Sequence, residues 1–345
     1  MQKKQATSRI ARCNLLFVCY IILALQLPII FIMRSCTVKC KKAQKRKGGG
    51  MVHSDIKLYI VTHKPTYIPQ HPLFVPLQIG TALHAPIPHM QHDNTGDNIS
   101  PLNNRYCELT GQYWAWKNDH ADYYGFFHYR RYFSFVHEDL PYRILDYPDD
   151  TVLQSLGYDA DYMQSFISQY DIIVPKAENM HETAWQNYAR APHHYAEDLQ
   201  LAVEIVKTLT PQYTHAADTY MNGTHLYLKN MYIMKREYFH GYCAWLFPIL
   251  AEFDKQNTWD KYHGNTTAMR VNGYLAERLF GIWYTYMTQN NEIKTCELGR
   301  IHFANMDAKG KLQYMKWVNR ILPPGTKRRN VIATCAKHIL RKHNQ

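Results

Sequence analysis

From Ile56 onward the chain alternates short, almost wholly apolar runs with longer stretches whose apolar positions recur every three or four residues. Ile56 to Thr62 (IKLYIVT) predicts a strand closed by Pro65. The Pro- and Asn-rich passage 65–104, which contains DNTGDNISPLN, predicts polar turns without a regular element. Ser100 and Asn103 are placed to cap a helix through CELTGQYWAWKN, in which Leu109, Tyr113 and Trp116 share one stripe. Asp122 to Phe135 (DYYGFFHYRRYFSF) predicts a buried strand, and further strands are expected at Tyr170 to Pro175, Asn230 to Lys235 and Glu292 to Phe303. Helical spacing marks His194 to Thr208, Arg236 to near Phe253, and Arg270 to Met287. Strands separated by helices favour an α/β sandwich with a mostly parallel sheet.

One of these runs breaks its own pattern. DYYGFFHYRRYFSF is apolar and aromatic, yet it carries His128, Arg130 and Arg131. Guanidinium groups in a buried strand need a partner, either a substrate phosphate or carboxylates that brace the fold. Strand alternation puts His128 and Arg130 on one face and Tyr129 and Arg131 on the other. A single site then meets only one of the two arginines, unless the strand bulges or ends there.

Composition narrows the chemistry. Aromatic residues make up 14% of the 345, with 27 tyrosines, which suits a site that grips a polar ligand such as a sugar by stacking and hydrogen bonding. The net charge of +12 sits at one end: residues 1–50 hold eleven of the 40 Lys and Arg and none of the 28 acids. The remaining residues carry 29 basic against 28 acidic groups, so a general nucleic-acid-binding role loses its support. The eight cysteines split evenly at the same boundary. Those of the body form no C-x-x-C pair, which argues for free thiols in a reducing compartment rather than a zinc site or a disulfide scaffold.

Asn14 to Met33 runs uncharged for the length of a bilayer core, with four Lys and Arg before it and seven after it. By the positive-inside rule it reads as an anchor to the cytoplasmic membrane, with the body in the cytoplasm. A second reading starts translation at Met51, directly after the Lys45–Gly50 run, and leaves the body cytoplasmic as well. The expected organisation is a basic, hydrophobic segment 1–50, a catalytic domain 51–305 and a basic extension 306–345.

Several signatures are missing. No G-x-G-x-x-G follows the first strand and no Walker A loop occurs, which removes the usual dinucleotide oxidoreductases and P-loop kinases. Neither a G-x-S-x-G elbow nor H-E-x-x-H is present. His193 and His194 are adjacent and lack the i, i+4 spacing of a helical metal pair.

Four phrases carry a resemblance: DNISPLNNRYCELTGQYWAWKN, DYYGFFHYRRYF, NMYIMKREYFHGYCAWLFPIL and RVNGYLAERLFGIWY. Together, from about Ile56 to about Phe303, the chain resembles the bacterial capsular and exopolysaccharide glycosyltransferases long filed as a domain of unknown function. The resemblance implies a GT-A-like fold, a nucleotide-sugar donor and a glycan or lipid-linked acceptor, with a hexosyltransferase-like activity. A non-catalytic glycan-binding or assembly protein on the same fold is the alternative.

On such a fold the site lies at the carboxyl ends of parallel strands. Thr62 and His63 would reach the base or ribose there, while Asp93, Asp97 and Asn98 offer groups for sugar hydroxyls. Many GT-A enzymes hold Mg²⁺ or Mn²⁺ with a D-x-D pair, but the strand expected in that role ends in HYRR. Arg130 or Arg131, helped by His128, would then neutralise the leaving diphosphate directly. Glu277 is the candidate base for an inverting transfer, with Gly273 and Arg270 about one and two turns before it and Asn230 at a strand start as candidate donor-binding residues. Glu108 is expected to orient the surrounding loops, and His302 to approach the diphosphate. Trp114, Trp116 and Trp245 are expected in the core.

Overall fold

The computed structural model describes residues 54–306, together with Ile321, Thr326 and Arg328. The apolar segment from Asn14 to Met33, the alternative start at Met51 and most of the 306–345 extension lie outside the described residues. Among the described residues no helix is long and apolar enough to cross a membrane.

β1 (Ile56–Thr62) shows why the apolar runs are so nearly continuous. Tyr59 and Val61 pack into one hydrophobic cluster and Ile56, Leu58 and Ile60 into another, on the opposite side of the sheet. A strand covered on both faces has no polar face to show. β4 (Tyr123–His128) and β10 (Tyr232–Lys235) divide their side chains in the same way.

The central sheet runs β11 (Thr295–Leu298), β7 (Ile172–Pro175), β10, β4, β1, β2 (Phe74–Gln78), β3 (Gln91–His92). Neighbours along this path are parallel except at β10, which is antiparallel to both β4 and β7. Off the path, β5 (Arg131–Phe133) and β6 (Tyr142–Leu145) pair with β12 (Arg300–Phe303), and β8 (Glu178–Asn179) pairs with β9 (His225–Leu226). One face is covered by α2 (Leu109–Asn118), α6 (Ala196–Leu209), α7 (Thr214–Asn222), α8 (Arg236–Gln256) and α9 (Val271–Asn290). The short α1 (Asn103–Tyr106) leads into α2 on that side, and α5 (Ala184–Arg190) packs there too. The other face carries α3 (Asp150–Ser155) and α4 (Ala160–Ile167). The result is the expected α/β fold, a mostly parallel sheet between helices.

Four expectations are corrected. The passage 65–104 contains two strands, and Pro76 lies inside β2. The Gln78 carbonyl accepts from Asp93 N–H on the β3 side, so Pro76, two residues earlier, faces the same way. β3 pairs only with Leu77 and Gln78, and the missing proline donor therefore falls where no partner strand needs it. Ser100 and Asn103 cap no helix by side chain: the Ser100 hydroxyl donates to Asp93, and the Asn103 amide donates to the Cys107 carbonyl and to Thr110. Glu292 to Phe303 is two strands, β11 and β12, separated at Gly299.

The fourth correction concerns DYYGFFHYRRYFSF, which is a strand, a two-residue turn and a second strand running back. β4 ends at His128, Tyr129 and Arg130 turn, and β5 begins at Arg131. No residue of this turn has a positive φ, so the Gly or Asn that marks common hairpin turns is absent. Neighbouring strands hold the turn instead: Tyr129 N–H donates to the Val61 carbonyl (3.1 Å) and Phe303 N–H donates to the Arg130 carbonyl (2.8 Å).

Candidate active site

The turn puts both arginines at one place. His128 and Arg131 stand directly opposite each other across the antiparallel pair, and opposed residues project from the same face of a sheet. His302 on β12 is opposite Arg131 in turn, which continues the row. An uninterrupted strand would have sent Arg131 to the other side.

A cavity of about 930 Å³ opens at the carboxyl edge of β1, β2 and β4. It is lined there by Val61, Thr62, His63, Ile79 and the whole sequence Phe126–Arg131. Its opposite wall is α9 and the turn before it, where Arg270, Gly273, Tyr274 and Glu277 recur at helical spacing along one face. Lys229 and Asn230, just before β10, and Cys107, Glu108 and Gln112, around the start of α2, also line the cavity. The cavity is thus on the side and at the strand ends where α/β sheets bind ligands.

Among the described residues, no carboxylate lies within 4.0 Å of either Arg130 or Arg131. The bracing alternative therefore has no partner there. Arg130 stacks over Tyr129 at 5.1 Å, and its Nε is buried without a hydrogen-bond partner. Gln112 Oε1 and Asn230 Oδ1, on the same cavity, are likewise buried and unpaired. Buried polar atoms are rarely left so unless a ligand or water completes them.

Glu277 combines both readings its sequence position allowed. It forms an ion pair with Arg278 at 3.6 Å, and it also lines the cavity. That separation is too long for a hydrogen bond, and among the described residues Glu277 accepts none, so its oxygens remain free for a hydroxyl. Burial alone would raise its pKa, but Lys229, Arg278, Arg131 and His194 overcome burial and hold it below the ordinary carboxylate value. Glu108 behaves oppositely: burial pushes its pKa up, although Asn230 donates to Oε1 at 2.8 Å. Two carboxyls on one cavity are thus driven apart, one toward the ionised and one toward the protonated form.

Burial, followed by the charges of Arg131 and Arg130, lowers the pKa of His128 well below that of a free histidine and that of His302 to about 4. Both are neutral at pH 7. His63 is lowered chiefly by burial, then by Lys64 and Arg270. Arg270 Nε donates to Cys107 Sγ at 3.1 Å, and burial pushes that thiol up to about 11.

Asn230 links the walls, donating to Glu108 and to the Gly273 carbonyl at 3.0 Å. A Cβ on Gly273 would lie 3.3 Å from both Cβ and Sγ of Cys107, so glycine there lets α9 close onto the loop before α2. Thr62 is buried at the end of β1, where its hydroxyl donates to the Lys64 carbonyl at 2.7 Å.

Asp93, Asp97 and Asn98 do not line the cavity. Asp93 is fully buried and accepts four hydrogen bonds, from the Gly80 and Thr81 amides and the Ser100 and Thr110 hydroxyls, at 2.6 to 3.0 Å. Asp97 accepts from Tyr113 at 3.1 Å, and Asn98 closes a turn by donating to the Gly96 carbonyl and accepting from Ser100 N–H. His302, at the end of the row away from His128, does not line the cavity, and His194 stacks on Tyr274 at 4.1 Å. Trp114 and Trp245 are buried as expected, and Trp116 packs against the same core.

Sequence reasoning missed Lys229. Its φ of +87°, followed by +47° at Asn230, is a left-handed pair that costs a lysine conformational energy, and it turns the chain into β10 at the cavity rim. The only available signal was a Lys-Asn pair just before an apolar run.

Among the described residues no group of three or more His, Cys, Asp or Glu side chains is arranged to hold a metal ion. The cavity has two carboxyls, Glu108, which accepts from Asn230, and Glu277, amid four Lys and Arg side chains. These residues do not fit a divalent cation.

Fold and cavity together define an α/β protein with a cationic, nucleotide-sized site at the carboxyl edge of its sheet. The chain belongs to the family described as Domain of unknown function (DUF4422), which it matches over residues 57–291. It is similar to the solved apo structure of the WbbM bifunctional glycosyltransferase, with 32% identity and a TM-score of 0.69. That likeness covers 73% of this chain and 46% of the WbbM chain, so this chain spans about half the length of that relative. No curated protein matches.

Proposed function

We propose that this chain is a glycosyltransferase with a GT-A-like site. It moves a sugar from a nucleotide-sugar donor to a hydroxyl of a glycan or lipid-linked acceptor, in synthesis of a capsular or other cell-surface polysaccharide on the cytoplasmic side of the membrane. The observation that carries this reading is the turn at Tyr129 and Arg130. It brings two arginines, with no carboxylate within 4.0 Å among the described residues, to one cavity with Glu277, whose carboxyl accepts no hydrogen bond among them and has a lowered pKa. The likeness to WbbM supports the same class of reaction.

In this reading the diphosphate lies against Arg130 and Arg131, with the base or ribose toward Thr62 and His63. Glu277 takes the proton of the acceptor hydroxyl as that oxygen bonds to the anomeric carbon. The bond from the anomeric carbon to the phosphate oxygen breaks, and its electron pair leaves on the nucleoside diphosphate. The two guanidiniums stabilise that charge as it develops. His128, neutral beside them, donates a hydrogen bond rather than a charge. Glu108, Asn230, Gly273 and Arg270 hold the wall that carries Glu277.

The test is a panel of nucleotide sugars incubated with the full chain and mixed glycan and lipid-linked acceptors, read by nucleoside diphosphate release. Turnover of one donor is expected. If no donor is turned over or raises the melting temperature while a glycan alone does, the chain is a glycan-binding protein instead.

A further inference from the structure

Resting on the glycosyl-transfer reading, the cavity wall also defines how the donor's phosphates are held. Arg130, Arg131, Arg270 and Lys229 all line it, and among the described residues none of them has a carboxylate within 4.0 Å. Arg130 offers a buried donor, Nε, that has no hydrogen-bond partner among the described residues. Arg270 spends its Nε on Cys107 Sγ, and among the described residues its terminal nitrogens make no hydrogen bond. Lys229 is held at the rim by a backbone conformation that lysine rarely adopts. Of the two carboxyls on the cavity, Glu108 accepts from Asn230 and is pushed by burial toward its protonated form, which leaves Glu277 as a single carboxylate among four cations, too few ligands for a divalent ion.

We infer that this cavity binds a nucleoside diphosphate through Arg130, Arg131, Arg270 and Lys229 alone, with no divalent cation. An ion bridging the two phosphates would sit among four positive side chains and displace the contacts they are placed to make. The guanidiniums supply the same charge compensation directly, with paired donors that match phosphate oxygens. The assignment adds Lys229 and Arg270 to the diphosphate site and makes the protein's own cations the whole of its electrophilic wall.

The experiment is calorimetric titration of the full chain with UDP, GDP and dTDP, first in EDTA and then in excess Mn²⁺. One nucleotide should bind in EDTA, with Kd in Mn²⁺ within about threefold of it. Arg131→Met and Lys229→Met should each weaken binding in EDTA about tenfold or more, the loss of one charge-assisted contact. Arg143→Met, which removes a cation paired with Glu138 outside the cavity, should leave Kd unchanged. Unaltered melting temperatures would separate lost contacts from lost fold. Binding that requires Mn²⁺ overturns the inference and leaves glycosyl transfer standing. Failure of all three nucleotides under both conditions overturns both.

Discussion

Two polar stretches of this chain invite the same reading, and they do opposite things. The loop that carries Asp93, Asp97 and Asn98 and the turn from His128 to Arg131 are both dense in groups that could grip a sugar nucleotide. In the loop the polar atoms find partners inside the protein, and Asp93 alone takes four donors. At the turn the arginines find no carboxylate among the described residues, and Arg130 keeps a buried nitrogen unpaired. Polar density marks a place where the backbone needs help as readily as it marks a ligand site. Unsatisfied polarity beside a cavity is what separates the two.

The largest expected effect falls opposite the turn. Glu277→Gln keeps the shape and removes the base, so kcat should fall about 10³-fold with little change in melting temperature. Full activity in this variant would leave the cavity without its base. Arg130→Ala should lower kcat/KM about 10²-fold while the protein stays folded, because a donor to developing charge is lost. If Arg130→Ala instead unfolds the protein and spares the activity of what remains, the arginine is a brace and the contrast with the loop collapses. Asp93→Ala should show the reverse pattern, losing about 2 kcal/mol of stability through stranded buried donors while kcat stays within a few-fold. Chemical denaturation and initial rates on the same preparations measure both sides of that contrast.

A smaller effect separates the two regions by pH. Histidines beside the turn have lowered pKa values in the folded protein, His302 about 4 against 6.5 for a free histidine. Between those values the unfolded chain binds protons that the native site refuses. The contribution of His302 to stability is therefore complete above pH 6.5 and is lost progressively as pH falls toward 4. Melting temperature should decline over that window, and His302→Gln should blunt the decline. A decline of the same size in the variant would place its origin elsewhere.

Much of the fold was legible because the strands are covered on both faces and announce themselves as apolar runs. Ile56–Thr62 coincides with its predicted bounds, and the helices from Arg236 and near Arg270 begin where their spacing begins. β2 was hidden by Pro76, which reads as a breaker unless one knows that β3 stops short of it. The turn after His128 was hidden because adjacent strands pin it through Val61 and Phe303, so no Gly or Asn was required. That one hidden turn decided the site: strand alternation separates Arg130 from Arg131, and the reversal reunites them. Lys229 escaped notice because its role depends on backbone torsion and on which strand end lies nearby, neither of which a lone lysine advertises.

The most direct test of the account is the structure of the full chain with the nucleoside diphosphate that it binds. The account predicts phosphate oxygens about 2.7 to 2.9 Å from side-chain nitrogens of Arg130 or Arg131. Phosphates seated beside Asp97 and Asn98, with both arginines free of them, would contradict it.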